Sequence, residues 1–182
     1  MNKRWKVSIV MISVIMLCVM GICTACSGGN AGGASGGNSD VIYFETTDLD
    51  GNVVRSEDLF KGHRLTMVNI WGTFCGPCID EMPELEKLNY RLKQKDCAII
   101  GIVSDVQSPE DSETIGAAKG LIEEIGVKYT NLVPWDDTWE VFPAQFIPTS
   151  YLVDEEGRIV GEAVVGARSV DDYDEWIDGM LK

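Results

Sequence analysis

Cys75 and Cys78, separated by Gly76-Pro77, are the two side chains of this sequence best suited to covalent chemistry. Two thiols three residues apart can close a small disulfide ring and open it again, which suits reversible two-electron exchange. The pair follows an apolar run, Leu65 to Ile70, and precedes Ile79, Met82, Leu85, Leu88 and Leu92 at helical spacing. That pattern places it at a strand-to-helix junction. The first turn of a helix leaves N–H groups unpaired, and these favour a nearby negative charge. Cys75, at the tip, is therefore expected to hold a depressed thiolate pKa and to be the attacking sulfur. Cys78, one turn deeper, is placed to resolve a mixed disulfide. The alternative is a static disulfide or half of a metal site, but a short Cys-Gly-Pro-Cys loop at a helix tip suits turnover better than stapling.

The other cysteines divide by surroundings. Cys18 and Cys23 lie in an apolar N-terminal run, Cys26 ends it, and Cys97 stands alone in a buried-strand pattern, where a free thiol behaves as a small hydrophobe. The single histidine, His63, falls in a loop. No second Cys/His pair supplies a four-ligand zinc site, so no metal is expected. Ile79 follows the Cys pair where covalent haem attachment would need His, and no cofactor is expected. With 29 acidic against 15 basic side chains, the chain would repel nucleic-acid phosphates, and no nucleic-acid partner is expected. Solubility is the plainer meaning of that charge.

Lys3, Arg4 and Lys6 precede the apolar run Val7 to Cys23, the layout of a secretory signal. The run ends Cys23-Thr24-Ala25-Cys26, which resembles the lipobox of bacterial lipoproteins, with Cys23 where such boxes usually carry Leu. The resemblance implies cleavage after residue 25, lipidation of Cys26 and a bacterial membrane anchor on the outer face. An uncleaved anchor and a cleaved soluble form are the alternatives. All three put the remainder outside the cytoplasm, where disulfides persist. Residues 26–40, rich in Gly, Ser, Asn and Ala, read as a flexible tether. Residues 41–182 then form the folded domain.

Within it, Val41 to Thr47 and Val53 to Arg55 flank a turn and read as a hairpin. Leu65 to Trp71 reads as a central strand buried on both faces. A helix runs from the Cys pair to about Lys95, with Pro83 expected to kink it. Cys97 to Val103 is a second buried strand. Ser108-Pro109-Glu110-Asp111 predicts a helix start with Ser108 as N-cap, and Gly126 its end. A short strand (Tyr129 to Val133), a short helix (Asp136 to Phe142), a hairpin (Pro148 to Val165) and a helix opened by Ser169 and Asp172 complete the chain. This order of elements argues for a three-layer α/β/α sandwich.

Trp71-x3-Cys75-Gly76-Pro77-Cys78, Pro83 and Ile147-Pro148-Thr149 resemble the thioredoxin superfamily. Val68 to Cys75 and Cys78-x2-Glu81-Met82-Pro83-Glu84-Leu85 resemble, within it, the extracytoplasmic thiol–disulfide oxidoreductases of the TlpA/ResA type. The resemblance spans roughly Val41 to Lys182, including the N-terminal β-hairpin and an insertion after the central strand. It implies that Pro148 is cis and packs against the Cys pair, that Ile147 offers its backbone to a bound peptide, and that Trp71 and Phe74 shape the rim. Thioredoxins proper usually carry a buried Asp where this chain has Asn69. Glu81, three residues after Cys78, could take over proton transfer for Cys78, or could simply suit the first helical turn. Client proteins with disulfides, a membrane electron donor of the CcdA/DsbD type and a monomeric state are implied partners and assembly.

The resulting expectation is a disulfide reductase, the Gly-Pro spacer resembling that of reducing thioredoxins near about −270 mV. Three alternatives stand beside it. A dithiol oxidase would run the electrons the other way. A thiol peroxidase shares the fold, and Thr73 holds the offset its threonine would need. A non-catalytic solute-binding lipoprotein would explain the signal but not the Cys pair. Trp135, Trp139, Phe142 and Phe146 read mainly as packing residues, with a substrate-facing apolar lip as the alternative.

Overall fold

The computed structural model describes residues 41–182; the expectations for the signal segment, for Cys26 and for the tether lie outside the described residues. The elements are β1 (Glu45–Thr47), β2 (Val53–Arg55), α1 (Ser56–Phe60), β3 (Leu65–Trp71), α2 (Gly76–Lys93), β4 (Cys97–Val103), α3 (Ser112–Ile125), β5 (Asn131–Leu132), α4 (Thr138–Val141), β6 (Thr149–Asp154), β7 (Ile159–Val165) and α5 (Val170–Met180). Five strands form one sheet in the order β5-β4-β3-β6-β7. β3 pairs parallel with β4 and antiparallel with β6, so its backbone groups have partners on both sides. Every residue of β3 is buried, as its unbroken apolar run predicts.

Helices α2, α3 and α5 cover one face of the sheet. There Met82, Leu85, Leu88 and Leu92 of α2 meet Met67 and Trp71 of β3, Ala118 of α3, and Tyr173 and Ile177 of α5. Arg91 and Lys95 reach across from α2 and its end to Asp171, Asp174 and Asp178 of α5. The opposite face is covered by the short α1 and α4 and by extended chain. Its core is Val68, Ile70, Ile100, Ile102, Phe60, Phe142 and Tyr151. The ring of Phe44 stacks on Trp135 with centroids 3.8 Å apart, and Trp135 meets Phe142 edge-on.

The β1–β2 hairpin is built by Asp48, whose carboxylate accepts the N–H groups of Asp50 and Asn52 at 2.9 Å. It seats on the β5 edge: Val133 N–H donates to Thr47 O at 2.9 Å, and the Thr46 hydroxyl donates to Val133 O at 2.7 Å. An edge with unpaired backbone groups is thereby covered.

Three local expectations change. Residues 41–44 are not part of β1; Ile42 instead donates its N–H to Gly157 O and buries its side chain against the aromatic face. α3 starts three residues later than Ser108 predicts, because Ser108 turns its carbonyl and hydroxyl toward Asp111 N–H and Glu110 N–H. Asp111 is the N-cap, accepting Thr114 N–H at 3.1 Å, and Gly126 closes the helix in the left-handed region. Finally, α2 follows β3 after only four residues. No insertion therefore separates the central strand from the next helix; α3, β5 and α4 lie between β4 and β6.

Candidate active site

A tight turn carries the chain from β3 into α2. At the end of the parallel ladder Ser104 N–H donates to Trp71 O at 2.7 Å. Cys75 N–H then donates to Gly72 O at 3.0 Å, closing the turn Gly72–Cys75. Gly72 is closely packed: a Cβ there would stand 3.0 Å from the Phe74 ring and 3.1 Å from Ile147 Cδ1 and Ser104 Oγ. Thr73 is held from the side by Asp105 in the β4–α3 loop. Its N–H donates to Asp105 Oδ1 at 3.0 Å and its hydroxyl to Oδ2 at 2.5 Å.

Cys75 is the N-cap of α2 and Pro77 stands in its first turn, where the missing N–H costs nothing. Cys75 and Cys78 are joined in a disulfide with Cα atoms 5.3 Å apart. Cys78 N–H donates to Cys75 Sγ at 3.2 Å, so the sulfur occupies the position that suits an anion at a helix start. Both cysteines are buried, Cys75 at 6 % exposure and Cys78 at 1 %. Cys75 Sγ lies 3.7 Å from the carbonyl oxygen of Ile147, and the Ile147–Pro148 peptide bond is cis. The resemblance thus implied a loop position that the fold does place beside the pair.

One helical turn beyond Cys78, Glu81 is 4 % exposed and sits in a buried polar group. Its Oε1 accepts from Asn69 Nδ2 at 3.2 Å. Its Oε2 accepts from the Arg168 backbone N–H at 3.2 Å and from the Tyr173 hydroxyl at 3.3 Å. Asn69 also donates to Ser150 Oγ at 3.1 Å, and Ser150 Oγ stands 3.4 Å from Tyr173 Oη. Burial raises the Glu81 pKa and the donors pull it back; burial wins, and the carboxyl ends above its ordinary value. A buried carboxyl held this way can carry a proton at higher pH than a surface one. Glu81 also lines an open cleft of about 540 Å³ with Pro77, Asp80 and Arg168.

Trp71 departs from the rim role that the resemblance implies. It is fully buried, and its indole N–H donates to Asn131 Oδ1 at 2.8 Å, so it supports the site from beneath. Gly101 makes this possible, since a Cβ there would fall 2.0 Å from Asn131 Oδ1. Phe74, 74 % exposed, does stand at the rim, and Phe146, next to Ile147, is 71 % exposed. Trp135 and Phe142 are packing residues of the aromatic face. Cys97 is a buried free thiol whose pKa burial pushes up. Among the described residues, no group of three or more His, Cys, Asp or Glu side chains is placed to hold a metal ion.

Asp105, Asn131, Ser150 and the Arg168 N–H escaped the sequence reading. Asp105 lies two residues beyond the end of a buried strand, which is where loop residues of an α/β sheet reach a site; that position was the one available signal.

A family model described as Redoxin matches residues 37–177. The thiol–disulfide oxidoreductase ResA of Bacillus thuringiensis (strain Al Hakam) is 33 % identical over 143 residues, covering 76 % of this chain and 73 % of the relative. ResA of Bacillus subtilis (strain 168) is 26 % identical over 155 residues, covering 82 % and 79 %. Among solved structures, the thioredoxin domain of a Bacteroides vulgatus thiol–disulfide oxidoreductase superposes with a TM-score of 0.62 at 27 % identity, covering 82 % of this chain and all of that one. A thiol:disulfide interchange protein of Chlorobium tepidum, at 24 % identity and a TM-score of 0.65 over 78 % of this chain and 95 % of its own, shares the fold. With the Cys75–Cys78 disulfide at the start of α2, these findings place the chain in the thioredoxin superfamily, as a TlpA/ResA-like thiol–disulfide oxidoreductase.

Proposed function

We propose that the chain is a lipid-anchored reductase of protein disulfides, acting on the outer face of a bacterial membrane. In the reduced form the Cys75 thiolate attacks one sulfur of a client disulfide, forming a mixed disulfide and releasing one client thiol. Cys78 then attacks the Cys75 sulfur, its proton passing to Glu81, and the second client thiol leaves. Two electrons have moved to the client, and the Cys75–Cys78 disulfide remains. A membrane donor of the CcdA/DsbD type restores the dithiol. Phe74, Ile147 and Pro148 frame the client strand, which runs past the Ile147 carbonyl, and the protein acts as a monomer.

The observation that carries this reading is the joint placement of the disulfide at the α2 N-terminus, the Ile147 carbonyl 3.7 Å from Cys75, and buried Glu81 one turn from Cys78. The peroxidase alternative loses its threonine, because the Thr73 hydroxyl is given to Asp105. Insulin reduction by the full chain tests the activity: Cys75→Ser is expected to lose it by at least about 100-fold. Retained activity in that variant would remove the reading. The Cys75–Cys78 potential decides direction, with a value near about −270 mV favouring a reductase and one near about −120 mV an oxidase. Loss of lipid labelling in Cys26→Ala tests the anchor.

A further inference from the structure

The turn Gly72–Cys75 sets where the reactive sulfur sits, yet apart from Cys75 itself it has almost no side-chain anchorage of its own. Gly72 has none, and the Phe74 ring is 74 % exposed. One backbone bond holds each end, Trp71 O with Ser104 N–H and Gly72 O with Cys75 N–H. Thr73 is the exception, and both of its polar groups end on the two oxygens of Asp105. Asp105 is itself fixed: Val106 N–H donates to Val103 O, and the Val106 side chain is buried in the core.

We propose that Asp105 is a positioning residue for Cys75, acting through Thr73. In the oxidised chain the disulfide already ties Cys75 to α2. Once it is reduced, the Asp105–Thr73 clamp is the side-chain constraint that keeps the Cys75 sulfur against the first N–H groups of the helix. Those groups stabilise the thiolate. The clamp therefore favours the reduced form, which makes the pair more oxidising, and it raises the thiolate fraction available for attack near neutral pH. Without the clamp the sulfur leaves the helix axis, the thiolate fraction at neutral pH falls, and the equilibrium moves toward the disulfide.

This rests on Cys75 as the attacking sulfur, and the test separates the two ideas. The reduced full chain is alkylated with iodoacetamide near neutral pH, with peptide mapping to distinguish Cys75, Cys78 and Cys97. The Cys75–Cys78 potential is measured by equilibration with a glutathione or dithiothreitol couple. Asp105→Ala is expected to slow Cys75 alkylation about tenfold and to shift the redox equilibrium about tenfold toward the disulfide, about 30 mV more negative. Asp105→Asn keeps both contacts, its oxygen accepting Thr73 N–H and its amide donating to the Thr73 hydroxyl, and should stay within about twofold of wild type. Thr73→Val, which keeps only the backbone bond, should fall between and serves if Asp105→Ala does not fold.

Wild-type rate and potential in Asp105→Ala would overturn the proposal. So would equal shifts in Asp105→Ala and Asp105→Asn, or faster alkylation in both, which would assign the effect to the charge rather than the bonds. Alkylation of wild type first at Cys78 would refute the attacking role of Cys75, while the potential would still read the clamp.

Discussion

Alternate residues of β3 face two different interiors. On the side of α2, α3 and α5, Asn69 meets Glu81 and Ser150, and Trp71 gives its N–H to Asn131. On the other side Val68 and Ile70 join Phe60, Phe142 and Tyr151 in a core whose polar contacts are few, the Tyr151 hydroxyl reaching Pro143 O at its edge. One strand thus serves a buried polar cluster and an apolar scaffold at once. The helical face keeps a carboxyl buried at the expense of its charged form, which is what a proton-transfer group needs. The aromatic face bears no such group and holds the sheet that fixes Asn69 in place.

If the two faces divide the labour in this way, substitutions on each should separate stability from redox behaviour. Phe142→Ala carries the largest expected effect. It should destabilise the domain by about 3–5 kcal/mol in denaturant unfolding and leave the Cys75–Cys78 potential unchanged. A shifted potential would mean that the faces are coupled. Gly101→Ala works on the helical face from the side: the new Cβ displaces Asn131 and leaves the Trp71 N–H buried without an acceptor. A loss of about 1–3 kcal/mol is expected, read by the same unfolding experiment.

Glu81→Gln sharpens the comparison through pH. Because burial raises the Glu81 pKa, the folded chain binds this proton more tightly than the unfolded chain does. The corresponding stability is fully present below the unfolded value, ordinarily 4.5, and is lost as pH rises through the folded one. Wild type should therefore lose stability relative to Glu81→Gln across that window, and thermal melts from about pH 4 to about pH 8 measure it. The variant should also move the pH dependence of exchange at Cys78, and parallel melting curves with an unchanged exchange profile would remove Glu81 from proton transfer. Phe74→Ala has the smallest expected effect, a change in stability within about 0.5 kcal/mol, since its ring is exposed. Its consequence belongs in KM for a protein disulfide, which should rise with little change in kcat.

The Cys pair, its strand-to-helix setting and its likeness to the TlpA/ResA type were legible because they depend on residues close in sequence. A run such as Leu65–Trp71 has the length and apolar continuity of a buried strand, and Cys75 with Pro77 marks a helix start. The start of α3 was misplaced because Ser108 and Asp111 are both competent caps. Which of them serves is settled by the turn between them and by the packing of Ala118 against the core. The rim position of Trp71 was implied by the family resemblance alone, and nothing local in the chain shows that its indole turns inward. Its partner, Asn131, is sixty positions away.

By itself the sequence determined the chemistry of the reactive pair and the class of fold, because local spacing sets a disulfide ring, a helix cap and the periodicity of strands and helices. Tertiary structure alone decided what surrounds the pair. Glu81 acquires its raised pKa only when the assembled fold buries it away from water, while Asn69, Arg168 and Tyr173, from three other segments, donate to its carboxyl and pull that shift part of the way back. Asp105 acquires its hold on the Cys75 turn only when β4 lies parallel beside β3 and brings the ends of the two strands together. Desolvation and hydrogen bonding between distant segments leave no periodic trace in the chain, so these features appear only once the sheet is assembled.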